Sequence, residues 1–405
     1  MKQKLVKGVR KVLPQGAVHG LEERYRKGRI KLVRMQYGDP AKNLKVIAVT
    51  GTNGKTTTLN YINEILKEAG YKTAMFTTAV IEVAGKRKIN DLNATVALTA
   101  EMQQFFRQAK KAKVDYTLLE VTSHALDQHK LDGVPILAAV MTNLTQDHLD
   151  YHKTMENYAA AKGKLFAMDP EFIVLNRDDE WFDYFDQFAA SGHKITYGHH
   201  DDAEVRVTRT KLFKKGSEAD LLLDHHLKLE LATALPGEYN IDNMVAAATT
   251  AYVLGVDLND IMEGAANLEA VPGRFERVET GKEYDVIVDY AHTPDGLEKF
   301  LQAARAIAKN RVILVFGATG DRDKGKRPIM GEIAARLADR IILTDEESYN
   351  EDPAAIRREV FEGIELAKGT AKTTEVADRR EAIKKALDVA KTGDMVLVTG
   401  MGHEK

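Results

Sequence analysis

The sequence has no cysteine, one tryptophan and nine prolines in 405 residues. The missing thiols exclude cysteine nucleophiles, Cys-ligated zinc, iron–sulfur clusters and disulfide stapling. No apolar run approaches the roughly 18–20 residues that cross a bilayer, and no secretory signal pattern opens the chain, so a cytoplasmic protein is expected. Neither sign of charge dominates: 58 Lys/Arg meet 60 Asp/Glu, and 44% of the residues are apolar. That balance excludes disordered and collagen-like chains. At about 150 residues per domain, the length favours two or three domains.

The near-neutral total hides an asymmetry. Residues 1–45 hold 13 Lys/Arg against three acids, whereas the remainder holds 45 against 57. Such a basic arm suits phosphates, lipid head groups or the protein's own acidic surface; a solvated helical lead-in is the simpler alternative. Within it, Leu5, Val9 and Val12 would share one helix face, and Leu21, Tyr25 and Ile30 another.

From Lys45 the pattern sharpens. Short apolar runs at Lys45–Thr50, Thr117–Val121, Ile136–Met141 and Phe172–Leu175 read as buried strands, with helices such as Ala100–Lys113 between them. This is an α/β layout with a mainly parallel sheet. Residues 203–235 alternate instead (Val205, Val207; Leu227, Leu229, Leu231) around a Lys-Lys-Gly turn, which predicts antiparallel strands, and Asn240–Leu254 reads as a helix. Beyond a boundary near Val271-Pro272-Gly273-Arg274, strands at Asp285–Asp289, Val312–Phe316, Ile341–Thr344 and Met395–Thr399 alternate with helices at Pro294–Lys309 and Ala354–Lys368. The expected organisation is a basic arm (1–44), a central nucleotide-binding unit (45–275) and a second, Rossmann-like α/β unit (276–405).

The strongest chemical signal is Gly51-Thr52-Asn53-Gly54-Lys55-Thr56-Thr57, between a strand and a helix. Glycines let backbone N–H groups turn towards an anion, and the helix start adds its positive dipole end. Lys55 would reach the β/γ-phosphates of ATP and Thr56 would ligate Mg²⁺. The first glycine of the general phosphate-loop motif is Val49 here. Glu120 ends an apolar strand, where ligands gather in open α/β sheets; it is either a Mg²⁺ ligand or a helix cap. In Thr142–His152, His148, His152, Asp147 and Asp150 are dense enough to coordinate a metal or orient a phosphate, although i,i+4 histidines also merely cap or pack. Composition alone gives Lys162 no role beyond a surface lysine. The charged loop Asp321–Pro328 suits anionic substrate groups or is a solvated loop.

The runs GTNGKTTT (51–58), LEVTSHALDQH (119–129), TNLTQDHLDYHKTMENYAAAKGKLF (142–166), LPGEYNIDN (235–243), VPGRFERV (271–278), VDYAHTPDGLEKFL (288–301), FGATGDRDKGKRPIMGEIA (316–334) and VTGMGHE (398–404) occur in this order. Together they resemble the ATP-dependent Mur ligases, most closely the MurE branch, which adds the third peptide residue to UDP-N-acetylmuramoyl-L-alanyl-D-glutamate in peptidoglycan synthesis. The resemblance implies ATP and Mg²⁺ as cofactors, with Lys55, Thr56 and Glu120 at the phosphates and metal. It places His148 at a second Mg²⁺ and Lys162 at the lysine that the family carbamylates. Asn243, Arg274, Asp289 and His292 match nucleotide-contacting and hinge positions. Thr95, Thr122, Gln128 and Lys130 fall on positions that hold the UDP-muramoyl-peptide, and Arg322, Gly400 and Glu404 on positions around the incoming amino acid. The implied reaction passes through an acyl phosphate, and the expected protein is a monomer with no nucleic-acid partner.

Several positions depart from the family pattern. Only residues 1–44 precede the phosphate-loop strand, where the family carries a uridine-diphosphate-binding domain, so a short form is expected. The Asp-Asn-Pro-Arg motif that reads diaminopimelate is replaced by Asp345-Glu346-Glu347-Ser348-Tyr349; a substrate arginine is Lys130 and a substrate threonine Val96. Two alternatives therefore stay open: another ligase of this superfamily, such as a folylpolyglutamate synthase, or a non-catalytic nucleotide-binding partner whose arm docks a membrane or another Mur enzyme.

Overall fold

A computed structural model describes residues 15–90 and 99–402, without the side chains of 15–22 and Thr99. Among them, strands form two sheets. The larger contains β1 (Val46–Thr50), β2 (Thr73–Phe76), β3 (Val80–Val83), β4 (Lys86–Ile89), β5 (Tyr116–Glu120), β6 (Ile136–Met141), β7 (Phe172–Asn176), β8 (His193–Gly198), β9 (Val205–Phe213), β10 (Gly216–Leu223) and β11 (Leu227–Thr233). Its spatial order is β11-β10-β9-β8-β7-β6-β1-β5-β2-β3-β4. The smaller contains β12 (Glu276–Val278), β13 (Asp285–Asp289), β14 (Val312–Phe316), β15 (Arg340–Leu343), β16 (Thr373–Glu375) and β17 (Met395–Thr399), in the order β12-β13-β17-β14-β15-β16.

Strands β1 and β5 are buried along their whole length, as expected for parallel strands covered on both faces. One face of the large sheet is covered by the helices Lys55–Glu68, Glu238–Val253 and Leu258–Ala266 through Ile62, Ile65, Met244 and Ile261. The other is covered by Thr99–Ala112 and Met155–Phe166 through Phe105, Phe106, Leu165 and Phe166. In the small sheet, Pro294–Ile307 buries Leu297, Phe300 and Leu301. Its start is fixed by Pro294 at the first turn and by the Thr293 hydroxyl, which accepts from Gly296 N at 3.0 Å.

The topology dictates where a ligand belongs. Central β1 pairs in parallel with β5 on one side and β6 on the other, so the connections diverge there and leave a crevice beyond the strand ends. The C-terminal ends of β13, β14, β15 and β17 in the small sheet lead into loops lining the same cleft.

Within the arm, the helix Gln15–Gln36 buries Ile30, but Tyr25 is 62% exposed, so the expected shared face does not form. Tertiary contact decides this: Arg34 donates to Asp132 O (2.8 Å) and pairs with Asp39, while Arg26 lies 3.9 Å from Asp127. These arm cations therefore meet the protein's own acids. Leu5, Val9 and Val12 lie outside the described residues.

The small sheet carries a fully buried cation. Arg327 donates to both Glu351 oxygens (2.9 and 3.0 Å), to Glu359 (2.7 Å) and to Thr319 O (3.2 Å). Its hydrogen bonds hold the Glu351 carboxyl down from 4.5 to about 2. This pair should be fully stabilising above pH 4.5 and lose its contribution as pH falls towards 2. Arg327→Leu should lower stability by about 2 kcal/mol at pH 7, because the charge-assisted hydrogen bonds to Glu351 and Glu359 are lost while Lys324, 2.9 Å away, still pairs with Glu351. Denaturant melts of both proteins should converge as the pH approaches 2.

Candidate active site between the two sheets

A cleft of ≈ 450 Å³ opens between the sheets, lined by the phosphate loop, Glu120, His148, Asn243, Arg274, His292 and Arg322 among others. The loop after β1 is built by close packing. Gly51 has φ +151 and a Cβ there would meet Thr142 Oγ1 at 1.8 Å; Gly54 has φ +85 and a Cβ would meet Asn243 Oδ1 at 2.1 Å. Asn143 accepts from Asn53 N (2.9 Å) and Thr142 donates to Asn53 O (2.7 Å). The loop is therefore preorganised from its neighbours. Gly54→Ala should raise the KM for ATP about tenfold, since the left-handed conformation costs a side-chain-bearing residue about 1–2 kcal/mol; steady-state kinetics at varied ATP would measure it.

Thr56 Oγ1 donates to Glu120 Oε2 at 2.8 Å. Glu120, buried at the end of β5, also accepts from Thr78 N (2.8 Å) and Thr78 Oγ1 (2.6 Å). Arg274 reaches Thr56 Oγ1 at 3.4 Å and lies over the Tyr290 ring at 4.3 Å. Lys55 Nζ donates to Gly51 O (3.1 Å) and Thr52 O (2.8 Å), and burial lowers its pKa.

Lys162 is 1% exposed rather than a surface lysine. Its Nζ donates to Gly51 O at 2.7 Å beneath the phosphate loop and sits 4.6 Å from the Tyr158 ring centre. Burial, then the neighbouring Lys55, pushes its pKa well down, favouring the neutral amine.

His148 opens the short helix Leu149–His152 with φ +55, its ring 4.7 Å from that of His124. Burial pushes it down to about 3, against the pull of Asp147, so the imidazole is neutral and offers a lone pair. His152 bonds Ser123 Oγ at 2.9 Å and stacks on Tyr158, a packing role. Asp147 is 4% exposed. Burial would raise its pKa, but Lys326, His148 and His292 hold it well below the usual carboxylate range.

The second unit closes over these groups. Asp289 accepts from Phe275 N (2.7 Å) and Ala291 N (2.8 Å), pinning the segment that carries Arg274. Its pKa is raised by burial. His292 Nδ1 donates to Tyr290 O at 2.8 Å, leaving Nε2 3.7 Å from Asp147. Asn53 donates to Asp295 (2.8 Å) and accepts from Thr293 (3.2 Å), tying the phosphate loop to the small-sheet unit.

Of the residues singled out from sequence, Thr52–Thr57, Glu120, Thr122, Lys130, His148, Asn243, Arg274, Asp289, His292, Arg322 and Gly400 line one cleft. Gly51 and Lys162 lie beneath it. Gln128 caps the short helix Ser123–Asp127 away from the lining. Thr95 and Glu404 lie outside the described residues. The sequence reading missed Thr78, Asp295 and Lys326, whose roles arise from partners distant along the chain. At the far end, Thr319 donates to Glu346 (3.0 Å), which lies where a Gly400 Cβ would be, and Arg322 lies over Tyr349 at 5.8 Å.

The donor set fits ATP with Mg²⁺. Thr56 and Glu120 are hard oxygen ligands side by side at a helix start, and a backbone loop faces the phosphate position. Among the described residues no three His, Asp or Glu converge into a protein-only metal cage. That suits Mg²⁺, which takes one or two protein ligands alongside nucleotide phosphates and water.

Comparison with known proteins agrees. The family model described as Mur ligase middle domain matches residues 49–251, and that described as Mur ligase, glutamate ligase domain matches 273–402. The chain is 42% identical over 373 residues to a UDP-N-acetylmuramoyl-L-alanyl-D-glutamate–2,6-diaminopimelate ligase of Syntrophomonas wolfei, covering 91% of this chain and 75% of that protein. It is 41% identical over 376 residues to the Geobacillus kaustophilus enzyme of the same name, with 91% and 76% covered. A solved structure of such a ligase aligns with TM-score 0.65 and 32% identity over 95% of this chain and 78% of that one. Folylpolyglutamate synthase of Mycobacterium tuberculosis aligns with TM-score 0.77 at 19% identity, over 92% and 91% of the two chains, a likeness of fold alone.

Proposed function

The chain belongs to the Mur ligase family, and on that premise we propose that it joins an amino acid to the terminal carboxylate of UDP-N-acetylmuramoyl-L-alanyl-D-glutamate in an ATP-driven step of peptidoglycan synthesis. The observation that carries this reading is the single cleft: the phosphate loop and Glu120 stand on the large sheet, and Arg274, His292 and Arg322 descend from the small one. A carboxylate entering past Thr122 and Lys130 meets the γ-phosphate beside Lys55, and an amine arriving past Arg322 and Glu346 meets the resulting acyl phosphate. Lys55 and Arg274 offset charge building on the transferring phosphoryl group. Thr56 and Glu120, with His148 lining the same cleft, would hold Mg²⁺, which would supply Lewis-acid neutralisation of the phosphates. Asp289 fixes the hinge, so that residues 45–275 and 276–405 act as two units closing on water-sensitive chemistry.

Lys162 is assigned as a carbamylated lysine, a reading supported by its burial and depressed pKa. The relatives are named for 2,6-diaminopimelate, but Glu347 and Tyr349 here present an acid and a phenol to the cleft, so the amino acid added is left to experiment. Phosphate release over a matrix of UDP-muramoyl-peptides and candidate third amino acids should show turnover with the dipeptide and at least one amino acid. No release with any of them would overturn the assignment, and release with a pteroylglutamate acceptor would favour the folylpolyglutamate reading.

A further inference from the structure

One buried ion pair at the cleft has no place in the chemistry above. Lys326, the first residue of the helix Lys326–Leu337, puts Nζ 3.3 Å from Asp147 Oδ1 in the loop after β6. The two side chains are 4% and 6% exposed, and they come from connections that follow strands of different sheets, β6 and β14. Asp147 is further held by its neighbour's backbone, His148 N donating at 2.9 Å, and is faced by His148 Nε2 at 3.4 Å and His292 Nε2 at 3.7 Å. Beside it, Gln146 donates to Asp323 at 3.1 Å, a second contact between the same loops.

We infer that Lys326 and Asp147 form the latch that holds the small-sheet unit closed over the reacting groups, with Lys326 a positioning residue rather than a catalytic one. A desolvated pair that spans two units exists only when they are together; separation rehydrates both charges. Paired, the ammonium and carboxylate cancel one another at the seam between His148 and His292, and they plug the route by which water reaches the acyl phosphate. When the seam is open, water attacks the acyl carbon, the bond from that carbon to the phosphate oxygen breaks, phosphate leaves, and the carboxylic acid is regenerated as its proton passes to solvent. ATP is then consumed without an amide.

The chemical arm of this inference rests on the ligase reading; the structural arm does not. In wild type, phosphate and amide should form in equal amounts. Lys326→Met should release several phosphates for each amide, and Asp147→Asn should do likewise. The double variant should be no worse than either single one, as coupled partners require. Gln146→Ala, which removes the contact to Asp323 and leaves the ion pair in place, gives a milder excess and serves if the buried variants fold poorly. In parallel, small-angle scattering of the full chain with a non-hydrolysable ATP analogue should show a larger radius of gyration for Lys326→Met than for wild type, whatever the acceptor. A Lys326→Met enzyme that loses phosphate and amide in equal proportion, additive single and double variants, or unchanged scattering would each overturn the latch. A wild type inactive with every muramoyl substrate would overturn the ligase reading and leave the scattering test standing.

Discussion

Lys55→Met is expected to lower phosphate release by about a thousandfold, the upper range for deleting one preorganised donor from a transition-state cradle. The residue stands at the first position of the helix Lys55–Glu68, in a loop whose carbonyls already draw its ammonium inward. Burial costs the cation solvation and lowers its pKa against the pull of Glu120, so a bound polyphosphate would add to the stabilisation of the charged form. Methionine keeps the length and the packing, and removes the charge together with the two hydrogen bonds to Gly51 O and Thr52 O. The loss should fall on kcat as well as on the KM for ATP, because charge on the transferring phosphoryl group grows towards the transition state. Rapid-quench measurement of the first turnover would separate the two. A variant that retained even a tenth of wild-type turnover would remove Lys55 from the phosphate site.

Much of this site was legible in the sequence because its residues sit at strand ends, and those strands are buried. Ile136–Met141, Asp285–Asp289, Val312–Phe316 and Met395–Thr399 coincide with β6, β13, β14 and β17, since parallel strands covered on both faces read as unbroken apolar runs. The hairpin β3–β4 escaped notice for the converse reason. Strand β4 is Lys-Arg-Lys-Ile, exposed throughout and at the sheet edge, so it carries no period to read. Strands β12 and β16 are three residues long, too short for any pattern. The phosphate loop announced itself in consecutive residues, whereas its restraints come from Asn143, Asn243 and Asp295, which only folding brings near. The same limit hid Lys326: its partner Asp147 is 179 residues away, and nothing local separates it from the three other cations of that loop. Lys162 looked like an ordinary helical lysine because neither the helix Met155–Phe166 nor its composition reveals which face lies under β1.

That lysine carries the second large expectation. Lys162→Gln should lower kcat by about 10²–10³, comparable to the loss of an electrostatic stabiliser. Lys55 and Lys162 both donate to Gly51 O, at 3.1 and 2.7 Å, so two ammonium groups would converge on one carbonyl. Burial and this repulsion drive Lys162 towards the neutral amine. A neutral amine adds to carbon dioxide: the nitrogen–carbon bond forms, a proton goes to solvent, and an anion replaces the potential cation. On the proposed carbamylation, the exchange would turn repulsion from Lys55 into attraction and favour the charged form of Lys55. Glutamine retains a donor for Gly51 O but cannot become a carbamate, so the fold should persist while activity falls. Wild type incubated with ¹³C-bicarbonate should show a carbamate carbon resonance that Lys162→Gln lacks, and its activity should decline when carbon dioxide is stripped from the buffer. Short carboxylic acids should partly restore Lys162→Ala by placing an anion in the space the side chain vacates. A wild type with no carbamate resonance and full activity in degassed buffer would return Lys162 to a structural role, a buried amine bonded to the phosphate loop and nothing more.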